Sequence, residues 1–122
     1  MNLNELSKKV YQANKEKGFW DSDRKRPETL MLIVSELSEA LEADRKGREA
    51  NLEAHLYTLD KSPGFSNASF MGNIKDTFQD EIADTFIRLL DLVGREGIDI
   101  EEHIKLKLSY NATRGHKHGK NY

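Results

Sequence analysis

Two pairs of carboxylates at helical spacing are the residues best suited to chemistry. Glu36 and Glu39 lie three positions apart, and Glu81 and Asp84 repeat that spacing later in the chain. Residues three apart project from nearly the same face of an α-helix. If two such helices face each other, four carboxylates converge. A hard cation such as Mg²⁺ or Mn²⁺ would then relieve their mutual repulsion and their desolvation.

The same spacing also occurs on solvated helix faces, so each pair taken alone leaves both interpretations open. The segment around the second pair favours a functional site. Its polar strip of Thr77, Glu81, Asp84 and Arg88 interrupts a stretch that is otherwise largely apolar. We expect a polar strip on such a helix to face a site or a water-filled groove.

A basic set follows near the end of the chain. Lys107, Asn111 and Arg114 are spaced by four and three residues and therefore share one helix face. Two cations and an amide in a row can bind phosphate oxygens. The alternative is a solvated last helical turn, where basic residues suit the helix dipole.

Two further features have open interpretations. Trp20 follows Phe19 in a predicted loop, where it could stack on a nucleobase or belong to the core. The basic tail at 115–122 contains His116 and His118 and is either a flap over a phosphate chain or a frayed end. Two histidines without a third soft ligand nearby do not make a metal site.

The pattern of apolar residues predicts one all-α domain over 1–122, a bundle of four main helices. They are expected at about 4–17, 27–46, 75–94 and 99–113, with Asp99 as N-cap of the last and Glu102 completing a capping box. The longer connecting segment, 48–75, is expected to be weakly helical to 61 and then a polar loop to about 73. The third helix is apolar over more than half its circumference, which predicts burial on several sides and a homo-oligomer.

Composition excludes several classes of protein. Nineteen basic against twenty-one acidic residues give a net charge of −2, which argues against a general nucleic-acid binder. The absence of cysteine excludes disulfides and zinc–thiolate sites. The longest apolar run is far too short to cross a membrane, and the N-terminus lacks a signal layout, so the cytoplasm is the expected location. A di-iron bundle would need Glu-x-x-His pairs, but the residues three before the histidines are Leu52, Ile100, Thr113 and Gly115.

The order of these motifs resembles that of the all-α NTP pyrophosphatases, above all MazG-like and dCTP-pyrophosphatase-like proteins. The resemblance runs from about Val10 to Arg114, and the ending His118-Gly119-Lys120-Asn121-Tyr122 is also similar to small MazG-like proteins. The spacing between the two acidic motifs is longer than is usual in the family, and the extra length falls in 48–75.

The resemblance implies a reaction and a set of roles. Nucleoside triphosphates, ribo or deoxy, would be hydrolysed to the monophosphate and pyrophosphate with Mg²⁺, or alternatively Mn²⁺, as cofactor. The implied metal ligands and catalytic residues are Glu36, Glu39, Glu81 and Asp84, with Glu39 the first candidate to orient the water. Lys107, Asn111 and Arg114 would contact phosphates and Trp20 the base, in a homodimer or tetramer. Phosphoribosyl-ATP hydrolysis on the same scaffold and a non-catalytic helical interaction protein remain alternatives.

Overall fold

The structure, a computed structural model, describes residues 2–115, and all regular structure in that range is helical. No β-strand occurs among these residues, so the all-α prediction is confirmed. Six α-helices and one 3₁₀ turn at Pro63–Phe65 make up the described chain: α1 Leu3–Glu16, α2 Arg26–Arg45, α3 Leu52–Lys61, α4 Ser66–Asn73, α5 Phe78–Glu96 and α6 Ile100–Ala112. The predicted flap with His116 and His118 lies outside the described residues.

Side-chain caps explain where several helices begin. Asp99 accepts a hydrogen bond from the backbone N–H of Glu102, as its position in the sequence predicted. Asn2 caps α1 in the same way, and Asn51 caps α3. Each cap satisfies one of the backbone donors that the first helical turn leaves without a partner.

The prediction of a polar loop up to residue 73 was wrong, because that stretch contains α4. Its Ser, Asn and Gly residues are poor helix formers, so intrinsic propensity gave no signal. Packing against α3 stabilises it instead. Nδ1 of His55 in α3 lies 2.9 Å from Oγ of Ser69 in α4, and the His55 ring meets the Phe70 ring edge to face at 5.8 Å.

Backbone hydrogen bonds join the two ends of the connecting segment, 48–75. The N–H of Asn51 donates to the carbonyl oxygen of Asn73, and the N–H of Phe78 donates to that of Arg48, both at 2.9 Å. The residues just before α3 and just after α4 therefore lie next to each other.

The chain divides into two compact units. One covers Ser22–Leu89 and holds α2, α3, α4 and most of α5; its buried apolar residues are Ile33, Ala40 and Ala43. The other joins the segment up to Asp21 with the segment from Leu90 onward, and buries Leu90 and Val93. The carboxylates proposed from the sequence lie in the first unit, whereas Trp20 and the basic residues of α6 lie in the second.

Gly94 allows α1 to approach α5 closely in the second unit. A Cβ atom at this position would clash with the carbonyl oxygen of Ser7 and lie 2.8 Å from Cβ of Tyr11. Ser7 is itself buried. Since backbone atoms cannot move aside as a side-chain end can, only glycine fits this contact.

We expect Gly94→Ala to lower the free energy of unfolding by about 1–3 kcal/mol, because overpacking outweighs the gain in helix propensity. Urea denaturation followed by circular dichroism measures the change. Gly72→Ala in α4 is the matched control: nothing lies within 4 Å of its Cβ position, so propensity alone should stabilise that variant by up to about 1 kcal/mol. Equal stability of the Gly94→Ala and wild-type proteins would contradict the close contact.

Candidate metal site

The structure brings three of the four predicted carboxylates together. Glu36 and Glu39 on α2 and Glu81 on α5 can each offer one oxygen such that all three oxygens lie within 4.8 Å of one another. We call these three residues the carboxylate triad. Glu36 and Glu81 are buried, at 8% and 6% exposure, whereas Glu39 is exposed. Two members of the triad are therefore shielded from water, and the third is accessible to it.

Glu81 carries the clearest sign of a missing partner. Its Oε2 atom is buried, and no described residue forms a hydrogen bond with it. Burial raises the pKa of Glu81 from 4.5 to about 7, assisted by the hydrogen bond and charge of Glu39 and by the negative charges of Asp84 and Glu36. A buried acceptor without a donor is unfavourable. An all-oxygen donor set with this excess of negative charge fits a hard divalent cation.

Asp84, the fourth predicted ligand, is not a member of the triad in this structure. It lies on α5 one turn beyond Glu81 and is half-buried. Burial is the largest cause of its raised pKa. The negative charges of Asp80, Glu36 and Glu39 raise the pKa further, and the Arg88 guanidinium lowers it. Asp84 is therefore close enough to Glu36 and Glu39 for their charges to affect its pKa.

Arg88 connects the two helices that carry the triad. Its Nε atom donates a hydrogen bond to Oε1 of Glu36 over 2.5 Å. The Glu36 side chain is only 10% exposed, and that of Arg88 is 40% exposed. The sequence placed Arg88 on the polar strip of α5 but gave no indication of its partner, because that contact depends on how α2 and α5 pack.

A second acidic group shares Glu81 with the triad. Asp76, Asp80 and Glu81 can also bring three oxygens within 4.8 Å of one another. Here exposed Asp76 and half-buried Asp80 each have a partner in the protein. Nζ of Lys75 lies 3.0 Å from Oδ2 of Asp76, and Oδ2 of Asp80 accepts the backbone N–H of Asp76. Glu81 is the only buried member of this group, whereas two members of the carboxylate triad are buried, so we take the triad as the candidate cation site.

Trp20, in the other unit, is held in place by a buried acid on α5. Its Nε1 atom lies 2.9 and 3.1 Å from the two carboxylate oxygens of Asp91, which also accepts from Nδ2 of Asn14. The Arg95 guanidinium lies 4.1 Å from the centre of a Trp20 ring. The Tyr11 ring also meets the Trp20 ring edge to face at 6.2 Å. Sequence reasoning missed Asp91, although a single acid between two leucines was a signal.

The predicted phosphate-binding residues cluster around one aromatic ring. Nζ of Lys107 lies 5.3 Å and Cζ of Arg114 lies 5.5 Å from the centre of the Tyr110 ring. Lys107 and Tyr110 are exposed, and Asn111 is half-buried. Lys107 lies on α6, whereas Arg114 lies two residues beyond the end of α6, and both cations are near the same ring.

Comparison with known proteins leaves the family undetermined. No protein-family model, curated protein or solved structure matches the chain. The motif resemblance to the all-α NTP pyrophosphatases therefore stays a prediction that rests on the residues named above. Within residues 2–115, no helix is both long and apolar enough to cross a membrane.

Proposed function

We propose that the protein is a Mg²⁺-dependent nucleoside triphosphate pyrophosphatase, which converts NTP or dNTP and water into the monophosphate and pyrophosphate. The observation that carries this proposal is the buried, partnerless oxygen of Glu81 within a group of three carboxylates on two helices. A structural ion pair would satisfy such an oxygen within the protein. An incoming cation explains why none of the described residues does so.

The chain's own residues divide the work in this proposal. Glu36, Glu39 and Glu81 would hold the cation, and the family resemblance adds Asp84. A bound Mg²⁺ supplies positive charge to phosphate oxygens and lowers the pKa of a coordinated water. Glu39 is the exposed member of the triad, so in this proposal it would orient a water or accept its proton. Lys107, Asn111 and Arg114 would bind phosphate oxygens.

The fold assignment belongs to the same proposal. Helices α1, α2, α5 and α6 correspond to the four main helices predicted from the sequence, and α3 and α4 occupy the extra segment. We assign these four helices to a bundle of the all-α NTP pyrophosphatase class. The order of the acidic motifs on α2 and α5 and of the basic residues on α6 supports this assignment.

A substrate panel tests the proposed function. The purified chain is incubated with Mg²⁺ and each of the common NTPs and dNTPs, and with phosphoribosyl-ATP, while chromatography separates monophosphate, diphosphate and pyrophosphate. We expect monophosphate and pyrophosphate in equal amounts, and none when EDTA is present. Release only from phosphoribosyl-ATP would select the alternative substrate. No product from any compound would select the non-catalytic interaction protein.

Trp20 offers a test of base recognition that separates affinity from stability. We expect Trp20→Ala to weaken nucleotide binding by about 1–3 kcal/mol, the typical loss for base–aromatic stacking. Trp20→Phe keeps an aromatic face but removes the N–H that Asp91 accepts. It should therefore retain most of the affinity and lower the unfolding free energy by about 1–3 kcal/mol. Unchanged nucleotide affinity in Trp20→Ala, measured by calorimetry, would leave Trp20 with a structural role alone.

The Ser22–Leu89 unit exposes more apolar surface than a monomer usually tolerates. Seven apolar residues on α2 and α5 are between 44% and 59% exposed: Leu30, Val34, Leu37, Leu41, Phe86, Ile87 and Leu89. The apolar surface that α5 exposes is smaller than the sequence predicted, because Val93 is buried within its own unit. Exposed apolar residues in this number favour an interface, and a two-fold dimer is the commonest way to cover them.

We therefore expect light scattering at micromolar concentration to give at least twice the 14.0 kDa chain mass. Phe86→Glu should shift the protein towards monomer, because a charge would be buried at the interface. Leu59→Glu on α3 is the control, since Leu59 is similarly exposed but lies outside this surface. A monomeric wild-type protein would show that the α2–α5 surface is not an interface in solution.

A further inference from the structure

Arg88 donates a hydrogen bond to one member of the carboxylate triad, Glu36. Its Nε atom engages Oε1 of Glu36 across the α2–α5 interface. It also lies four residues after Asp84, so the two side chains share one face of α5. Arg88 thus holds one predicted ligand on α2 from the same helix, α5, that carries the predicted ligands Glu81 and Asp84.

We propose that Arg88 is a positioning residue, which orients the Glu36 carboxylate for cation binding. This inference rests on the cation site of the proposed function. An ionised carboxylate has two oxygens and about four lone-pair sites. A hydrogen bond to Oε1 therefore leaves Glu36 able to bind a cation at the same time. The planar guanidinium holds its partner in a fixed geometry, which a flexible ammonium does not.

A competing effect has the opposite sign. Arg88 is positively charged, so on charge alone its removal would strengthen the binding of a cation. Solvent and salt screen this repulsion, because the Arg88 side chain is 40% exposed. Glu36, by contrast, is buried beside Glu39 and Glu81 and would turn away from them once its partner is lost. Since groups that orient metal ligands typically change affinity 10–100-fold, we expect the orienting effect to dominate.

Titration of the full chain with Mn²⁺ at pH 8, with free Mn²⁺ read by electron paramagnetic resonance, tests this role. Arg88→Met should weaken Mn²⁺ binding by about tenfold or more. Arg88→Lys should fall between that variant and wild type, because it keeps the charge but not the planar donor. Lys46→Met is the matched control. Lys46 pairs with Glu42 on exposed α2 surface, so this change removes the same charge without touching the triad.

Binding in Arg88→Met as tight as in wild type, or tighter, overturns the proposal. A double-mutant cycle guards against an effect through folding. In a Glu36→Gln background, Arg88→Met should cause no further loss of Mn²⁺ affinity, whereas an equal loss in both backgrounds overturns the proposal. Wild-type protein that binds no Mn²⁺ would refute it together with the cation site. Wild-type protein that binds Mn²⁺ but releases no pyrophosphate would refute only the proposed hydrolysis.

Discussion

Replacing Glu81 with glutamine is expected to reduce NTP hydrolysis by more than about a hundredfold and to stabilise the cation-free protein at pH 8. Loss of a residue that merely orients a ligand costs 10–100-fold, so loss of a ligand should exceed that range. Glu81 is the member shared by both acidic groups, and its Oε2 atom has no partner among the described residues. It is therefore the carboxylate on which cation binding should depend most.

Parallel variants separate ligands from surface charge. Glu39→Gln and Asp84→Asn should also abolish pyrophosphate release while leaving the helical circular dichroism spectrum intact. Glu28→Gln is the control, since Glu28 lies on exposed α2 surface two turns before Glu36. Full activity of both Glu39→Gln and Asp84→Asn would refute the assignment of these carboxylates to the metal site.

The stability that Glu81→Gln gains over wild type should increase with pH. Because the folded-state pKa of Glu81 is about 7 against 4.5 when unperturbed, the folded protein holds this proton more tightly than the unfolded chain. The stabilising contribution of Glu81 is therefore complete below pH 4.5 and is lost as the pH rises to about 7. Glutamine does not titrate. In EDTA, the advantage of Glu81→Gln over wild type should grow by about 1–3 kcal/mol between pH 4.5 and 8 in urea denaturation.

Some of this site follows from local rules and some does not. Helical periodicity alone places Glu36 beside Glu39, because residues three apart share a face. The polar strip of α5 also indicated which way Glu81 would face. The hydrogen bond from Arg88 to Glu36 joins positions 52 residues apart, so no local pattern encodes it. It depends on the packing of α2 against α5.

The fold shows the same division between local and long-range information. Asp99 was predictable as a cap because its preference is local. Helix α4 was not, because Ser69 and its neighbours favour helix only once His55 and Phe70 pack together. The anchoring of Trp20 by Asp91 joins positions 71 residues apart and escaped prediction for the same reason. Tertiary contacts override weak propensity wherever the local signal is small.

Cation affinity should fall about tenfold between pH 8 and pH 6. With the pKa of Glu81 at about 7, roughly nine-tenths of the carboxylate is ionised at pH 8 and roughly one-tenth at pH 6. A cation can bind only the ionised form, so the proton competes with it directly. Burial is the main cause of this raised pKa, and the hydrogen bond and negative charge of Glu39 add to it.

The measurement is the Mn²⁺ dissociation constant of wild-type protein at pH 6, 7 and 8, together with the number of protons released at pH 6 in calorimetry. We expect close to one proton for each Mn²⁺ bound. Asp84 has a raised pKa too, so Asp84→Asn tests whether it contributes to this release. A variant that still releases one proton assigns that proton to Glu81. A dissociation constant that is the same at pH 6 and pH 8 would show that cation binding displaces no proton in this range, which would contradict this prediction.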